Sequence, residues 1–469
     1  MAALTPSEAS VKDVEAHSDF NDDEQPQSIM AIDKETDAGL ANGAQDKDHA
    51  VMRTSTKSSW RDPGPPPDGG WKGWTQVALG HLVIMNTWGF VNSYGVFQTY
   101  YVTELNRPPS DISWVGSMQV FLLFFIGTFT GRMTDAGYFR QVFAVGSVLY
   151  AIGIFMVSLC TSYWQVFLAQ GVCMGLGMGC LFCPSLSVLS TYFSTKRSLA
   201  IGIGAAGSGT GGMVFPAMVQ QLLPRVGFPW TIRAVAFIQV TALIICNIGI
   251  KPRTVPRRTG ALVDWMSFKE LPYVFFAVGM FFNFWGVYFA FYYLGSYARN
   301  ILHVNVDESI NLLITLNGVG ILGRILPNHL ADRYYGPLNT LIPVVLVASV
   351  IIYSWIAVTN RGGLYAWAVM YGIFGAAIQS LFPATLASLT TDLRKAGVRM
   401  GMIFVSQTLQ NTIVSFAVLT GPPITGQLIQ KKNGGFLYAQ LFGGSVLLVG
   451  SGFLTASRLA KSRKLWVKL

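Results

Sequence analysis

An arginine stands in one of the most apolar stretches of the chain, Gly318-Val319-Gly320-Ile321-Leu322-Gly323-Arg324-Ile325-Leu326. Its guanidinium carries five N–H donors in a planar fork that suits a carboxylate. A charge in the middle of a bilayer costs at least about 2.5–3.5 kcal/mol on insertion scales, so something must offset Arg324. The next acid along the chain, Asp332, is about 12 Å away at a helical rise of about 1.5 Å per residue. No acid shares the interior of the run. Two offsets are open: an organic anion carried as solute, or carbonyls at a helix end.

Other polar side chains fall at similar depth in apolar runs. They are His81, Asn86 and Asn92, then Asn283 and Tyr288, then Gln379, then Gln407, Gln410 and Asn411. Gln407 and Asn411 lie one turn apart on one helical face. Each of these residues is a candidate to line a solute cavity, and each is equally able to hydrogen-bond between helices. His81 could carry a proton or pack neutral. Phe281, Phe282, Phe284 and Trp285 could shape an apolar pocket for a larger solute, or pack against lipid and neighbouring helices.

Motifs for bond-making chemistry fail on context. Gly202-Ile203-Gly204-Ala205-Ala206-Gly207 matches G-x-G-x-x-G, and Gly207, Gly209 and Gly212 match it again. A dinucleotide site needs a preceding strand and an acid about 20 residues on, but the next acid after Asp135 is Asp264. Glycines at this density let two membrane helices approach closely. Cys180-x-x-Cys183 has no second pair and no nearby histidine, so packing explains it better than a metal or redox site. G-x-x-x-x-G-K-[ST], H-E-x-x-H and G-x-S-x-G are absent from the sequence. The expectation is no enzyme, no ATP-driven pump, no cofactor and no metal.

The elements that must position Arg324 are membrane helices. Of 469 residues, 51% are hydrophobic and 12% charged, with mean hydropathy +0.43; a soluble domain carries about 25% charged residues. Residues 1–60 hold 12 acids and 5 bases, and residues 61–469 hold 11 acids and 28 bases. The first segment is acidic and poor in aromatics, the composition of a disordered tail. It has no basic start followed by an apolar stretch, so a secretory leader is not expected. The basic remainder is too apolar for a nucleic-acid binder.

A span needs about 20 mostly apolar residues. Such runs fall near 74–98, 111–132, 141–160, 164–190, 198–222 and 229–250, then near 271–295, 308–331, 338–358, 363–390, 399–421 and 436–457. A basic stretch, 251–270, separates the two sets of six. Gaps after the even-numbered runs, with the C-terminal tail, hold 18 Lys and Arg, against 6 after the odd-numbered runs. Positive charge stays in the cytosol, so both termini are expected there. Trp71 and Trp74 are expected as an interfacial anchor where the first helix begins. The halves echo each other. Gly131-Arg132-Met133-Thr134-Asp135 compares with Gly323-Arg324 and Ala331-Asp332-Arg333, and Phe182-Cys183-Pro184 with Leu381-Phe382-Pro383. Parallel halves of this kind mark one large class of secondary transporters.

On these residues the chain resembles the major facilitator superfamily and, within it, the monocarboxylate porters, over about residues 65–457. Asp68-Gly69-Gly70-Trp71-Lys72-Gly73-Trp74 looks like that family's first signature, with Lys72 as an extra residue. Tyr192-Phe193, Arg197-Ser198-Leu199-Ala200 with Gly202, and Ala206-Gly207-Ser208 look like its second. Asn86-Thr87-Trp88-Gly89, Asn92-Ser93-Tyr94-Gly95 and Gly421-Pro422-Pro423-Ile424 are similar to a fungal branch that includes metabolite exporters and vitamin carriers. The resemblance implies a substrate role for Arg324. It also implies a cytosolic latch at Gly131, Asp135 and Arg140, with Asp332 and Arg333 in the second half. Ala136 stands where the latch motif has an arginine. Asn92 and Gly320 stand where animal monocarboxylate carriers place a lysine and an aspartate, so lactate–proton symport does not carry over.

The expected fold is an all-α integral membrane protein with twelve transmembrane helices in two six-helix parallel pseudo-repeats, the major facilitator fold. The expected segments are a disordered acidic cytosolic tail (1–64), a six-helix bundle (65–250), a basic central loop (251–270), a second bundle (271–457) and a basic tail (458–469). The expected function is alternating-access transport of a small organic anion or carboxyl-bearing metabolite, imported or exported, with metabolite export one of the open directions. A proton-coupled monocarboxylate or vitamin importer is the nearest alternative, and a channel or membrane-embedded nutrient sensor the more distant one. Expected partners are the solute, the lipid bilayer and protons as coupling ion, with no nucleic acid. The protein is expected to be a monomer in the plasma membrane, or failing that in the vacuolar membrane.

Overall fold

The computed structural model describes residues 66–253, 270–389 and 413–462. Gln407 and Asn411 lie outside the described residues, as do the acidic N-terminal segment and most of the basic central one.

Every regular element among the described residues is helical. Helix α1 (Gly70–Ile84) passes through a π-helical turn, Met85–Gly89, into α2 (Phe90–Asn92) and α3 (Tyr94–Glu104). Next come α4 (Pro109–Asp135) and α5 (Phe139–Val157). A short α6 (Tyr163–Val166) continues through a π segment, Phe167–Met174, into α7 (Gly175–Ser190). Then follow α8 (Arg197–Ala205), α9 (Gly207–Gly249), α10 (Leu271–Leu302) and α11 (Val306–Leu330). The chain continues with α12 (Pro337–Ser354), α13 (Arg361–Leu389), α14 (Ile413–Lys431) and α15 (Leu437–Lys461).

Among the described residues, nine helical stretches are long and apolar enough to cross a membrane. The shortest, Phe139–Val157, has 19 residues, about 28 Å at about 1.5 Å per residue, close to the bilayer's apolar thickness of about 30 Å. The outward faces agree. Val148, Ile152 and Met156 on α5 and Ile244, Ile245 and Ile248 on α9 are all exposed. In water such a face would drive aggregation, whereas against lipid tails it is matched.

Local chemistry explains where helices stop. In α9, Gly227 leaves helical geometry at φ 74°, ψ 171°, between Pro224 and Pro229. Glycine takes a positive φ without a Cβ clash, and proline cannot continue the hydrogen-bond ladder behind it. Two helices therefore meet at Gly227, inside the gap expected from the sequence between 222 and 229. At the start of α11, Asn305 accepts the N–H of Glu308 at 2.7 Å, and Asp307 and Glu308 fill the first turn. These groups satisfy the free amides there and favour the positive end of the helix dipole.

The glycine-rich run packs α8 and α9 on two sides. A Cβ on Gly207 would lie 2.1 Å from the His81 carbonyl oxygen, and one on Gly211 2.5 Å from that of Met85, both in the stretch Gly70–Glu104. A Cβ on Gly202 would lie 2.6 Å from the Arg324 carbonyl oxygen, and one on Gly212 2.5 Å from Asn317, both on α11. The run is a close-contact surface between backbones and no nucleotide loop. Across the same boundary between residues 70–249 and 271–461, α4 packs along α14 and α9 along α11.

Candidate functional site

Arg324 is wholly buried, and its side chain reaches a cavity of about 30 Å³. The wall is built by Ile84 and Trp88 from the stretch Gly70–Glu104, Phe124 from α4, and Phe182 and Leu186 from α7. Phe284 and Tyr288 come from α10, and Gln379, Phe382 and Pro383 from α13; Ala205 and Ser208 flank the α8–α9 junction. That is room for a water or two and not for an organic solute, so the walls stand together in this conformation.

The polar groups there are underused. Arg324 Nη2 donates to Gln379 Oε1 at 3.0 Å. Arg324 Nε and Nη1, Gln379 Nε2 and the Tyr288 hydroxyl are buried without a hydrogen-bond partner. Leaving a buried polar group unsatisfied costs about 1–3 kcal/mol, and more for a charged one. The deficit is directional, since every one of these atoms can donate. Gly320 helps keep it so, because a Cβ there would sit 2.7 Å from Arg324 Nη1. The guanidinium occupies the space where an acid one turn earlier would have paired with it. Its backbone is held separately: Asn328 Nδ2 donates to the Arg324 carbonyl and to Ser380 Oγ, both at 2.8 Å, tying α11 to α13.

Aromatic rings form most of the remaining wall. Trp88 stacks on Tyr288, centroids 5.9 Å apart and planes 8° from parallel. Trp88 also meets Phe124 at 5.2 Å and Phe182 at 5.5 Å, while Phe284 meets Phe124 at 5.7 Å and Phe382 at 5.0 Å.

Of the candidates read from sequence, Arg324, Tyr288 and Gln379 come together here. Four others do not line this cavity, and one of them, Asn86, donates from Nδ2 to the Gln239 carbonyl at 3.0 Å. His81 binds the Ile203 carbonyl through Nδ1 at 2.9 Å and Thr210 Oγ1 through Nε2 at 3.1 Å, pinning α1 to α8 and α9. Asn283 is buried against Gly450 of α15, where a Cβ would lie 2.2 Å from its Oδ1. Asn92 is buried with neither amide atom partnered. Of Phe281, Phe282, Phe284 and Trp285 on α10, only Phe284 lines the cavity. Phe282 stacks on Phe453, and Trp285 donates from its indole to Thr420 at 3.0 Å. Trp88, Phe124, Phe182 and Ser208 were not anticipated as lining residues. The one available signal was the Phe182/Phe382 echo between the halves.

A second cluster gathers the signature residues at one end of the bundle. Asp332 accepts the backbone N–H of Ser198 at 3.1 Å and of Leu199 at 2.7 Å, so the end of α11 caps the start of α8. Asp68 accepts from the Ser194 N–H and hydroxyl and from the Thr195 N–H at 2.9 Å, and its own N–H donates to the Tyr192 carbonyl at 3.2 Å. Burial pushes its carboxyl up, but these hydrogen bonds outweigh that and hold it below the usual value. Asp68 and Gly70 adopt positive φ, and Gly69 lies between them, which explains an Asp-Gly-Gly turn at this point. Trp74 packs on Phe193 at 5.4 Å, while Trp71 is 87% exposed, so only Trp71 is free to meet an interface. Arg197 Nε donates to the Phe193 carbonyl at 3.0 Å. Gly131 and Asp135 are buried at the end of α4, and Arg140 is exposed. Arg333 lies over the Tyr334 ring at 5.2 Å.

Residues 77–412 match the family model described as Major Facilitator Superfamily. An "MFS-type transporter" of Gibberella zeae is 51% identical over 400 residues, 85% of this chain and 89% of the relative. The "Aspyridones efflux protein apdF" of Emericella nidulans is 36% identical over 391 residues, 82% of this chain and 77% of the relative. Among solved structures, that of the human organic anion transporter MFSD10 (TETRAN) superposes with a TM-score of 0.64 at 13% identity, covering 81% of this chain and 99% of that one. This last likeness is one of fold.

Proposed function

We propose that this chain, which belongs to the Major Facilitator Superfamily and to its fungal transporters, exports an organic anion by alternating access. Transport across a membrane, and not catalysis, follows from the membership itself. The narrower reading rests above all on Arg324, a wholly buried cation with two unpartnered nitrogens facing a closed cavity.

In this reading the protein has twelve spans. Nine are the long apolar stretches. Two more are Gly70–Glu104, interrupted by its π turn, and Ile413–Lys431; the twelfth comes from dividing Arg197–Gly249 at Gly227. Residues 65–250 and 271–457 form two six-helix bundles related by a pseudo-twofold axis along the membrane normal. Trp88 and Tyr288 are 200 positions apart, as are Phe182 and Phe382, and each pair lines the cavity with one residue from each bundle. That pairing supports the repeat. The monocarboxylate-porter resemblance belongs to this narrower reading too, on its signature residues alone.

The cycle then needs two closures. On the cytosolic side, assigned from loop charge, Asp332 clamps the first turn of α8, and Asp135 with Gly131 serves as its counterpart. On the far side, Ser110 Oγ donates to Gln430 Oε1 at 3.1 Å, and a Cβ on Gly426 would lie 3.3 Å from Ser110 Cα. Opening one side at a time exposes Arg324 alternately. The solute's acid group takes the donors that the closed site leaves unsatisfied. Export is favoured because relatives such as the aspyridones protein are named for efflux. We place the protein in the plasma membrane as a monomer with both termini cytosolic.

Counterflow in vesicles containing the purified full-length protein tests this reading. Preloading with an organic acid should accelerate entry of the same labelled acid, with a rate that saturates. Flux that rises linearly with concentration and shows no counterflow would indicate a channel, and binding without flux would indicate a sensor.

A further inference from the structure

We infer that the solute is a planar aromatic acid, its ring held between Trp88 and Tyr288 and its acid group on Arg324. This rests on the anion reading of the same site and narrows it. The two rings belong to different helices, the π turn after α1 and helix α10, on opposite sides of the boundary between the halves. They already lie within 8° of parallel, with centroids 5.9 Å apart. A flat ring between them needs a gap of about 7 Å, twice the contact distance of about 3.5 Å between carbon atoms. Parting the two walls until the ring planes stand that far apart turns the stack into a slot without either ring having to rotate.

The slot's geometry is selective on two counts. Phe182 meets Trp88 at 75°, edge to face, so the indole is buttressed from the side and its plane is fixed. A saturated ring is puckered and thicker, and it offers no π face to either wall. At the rim, Arg324 Nε and Nη1, Gln379 Nε2 and the Tyr288 hydroxyl all await an acceptor. An aromatic carboxylate, or an aromatic ring bearing an ionised enol, meets both demands at once. In this conformation each aromatic wall covers the other, so the ring slot itself is filled by protein.

The test compares two acids of equal charge and carbon skeleton, naphthoate and decahydronaphthoate, as ligands of the purified full-length protein in lipid nanodiscs. Naphthoate should bind roughly tenfold more tightly, the scale of two aromatic contacts. Trp88→Leu should erase most of that ratio, with a melting temperature near the wild type's reporting that the variant is folded. Trp88→Phe should keep most of the ratio. Equal affinity of the wild type for the two acids overturns the aromatic slot and leaves the anion reading standing. A ratio that survives Trp88→Leu overturns it as well. Should Trp88→Leu not fold, the wild-type ratio alone decides. Binding of neither acid to the wild type overturns the anion reading, and the slot with it.

Discussion

The middle of the molecule and the Asp332 end treat their polar groups in opposite ways. At the end, each carboxylate oxygen of Asp68 and Asp332 accepts a hydrogen bond from residues 194–199, from backbone N–H groups and the Ser194 hydroxyl. In the middle, Arg324 makes one side-chain hydrogen bond and leaves two nitrogens unpartnered. Burial makes this more than a matter of degree. An exposed polar atom left without a protein partner has bulk water, whereas a wholly buried one must find its partner within the site. The lesson is one of division of labour. The end holds a conformation through contacts made within the chain itself, and the centre leaves donors that the proposed solute would take.

That contrast can be broken or sharpened by substitution, and the largest effect is expected from sterics. In Gly202→Val the new Cβ would meet the Arg324 carbonyl oxygen at 2.6 Å. Overpacking costs about 1–3 kcal/mol, enough to disfavour closure of α8 on α11 by roughly tenfold or more. The clash lies between the proposed bundles and not inside one, so insertion should survive. Counterflow per inserted molecule should fall at least about tenfold; a normal rate would mean that α8 and α11 need not close. Next comes Gly320→Asp, which puts a carboxylate beside Arg324 Nη1. Solute affinity should drop roughly tenfold, because a charged hydrogen bond of this kind is worth about 1.5–3 kcal/mol. Unchanged affinity in a binding titration would remove the unsatisfied guanidinium from the account.

Asp332→Asn is a smaller perturbation. Asparagine keeps one acceptor for the α8 amides but loses the charge that favours a helix N-terminus, worth about 0.3–1 kcal/mol. The α8–α11 contact should open about two- to fivefold more often, read as faster labelling of a cysteine placed at Ser194. Labelling at the wild-type rate would reduce Asp332 to a helix cap with no part in gating. The smallest effect belongs to Asp68. Its folded carboxyl lies below the usual value of 3.8, so its stabilising contribution is complete above that value and is lost as pH falls through the folded one. Melting of the wild type should therefore exceed that of Asp68→Asn by the same margin at pH 7 and at pH 5, with the margin closing only below about pH 4. A margin that shrinks between pH 7 and pH 5 would contradict the hydrogen-bonded turn.

Legibility in the sequence followed how local the cause was. The glycine-rich run could be read as close helix contact because only a missing Cβ allows such spacing, and it serves that purpose against both α1 and α11. Arg324 stood out because a lone charge in an apolar run has few explanations. The faces of His81 and Asn283 could not be read. Depth in a membrane is a property of a residue's own helix, but the partner it meets is set by another. His81 turns to Ile203 and Thr210, and Asn283 turns to Gly450. The Trp88–Tyr288 stack was hidden for a stronger version of the same reason. Aromatic residues are ordinary in such helices, and nothing local to either marks a partner 200 positions away. Helix ends were legible to within a few residues in most stretches; the helices expected to end at 295 and 421 run on to Leu302 and Lys431, and the first stretch differs as well. There helix runs on at both ends of the expected 74–98, through the π turn to Glu104.

The claim at the centre is that Arg324 is kept for a solute's acid group. Binding of naphthoate to purified full-length protein in nanodiscs, measured for the wild type, Arg324→Lys and Arg324→Gln, tests it most directly. Lysine keeps the charge but loses the planar fork, so its affinity should fall about tenfold; glutamine loses both, and its affinity should fall about a hundredfold or more. Glutamine should also melt no lower than the wild type, since it removes an unsatisfied buried charge. Full affinity in Arg324→Gln, or an affinity loss matched by collapse of the unliganded protein's melting temperature, would make the arginine structural and contradict the account.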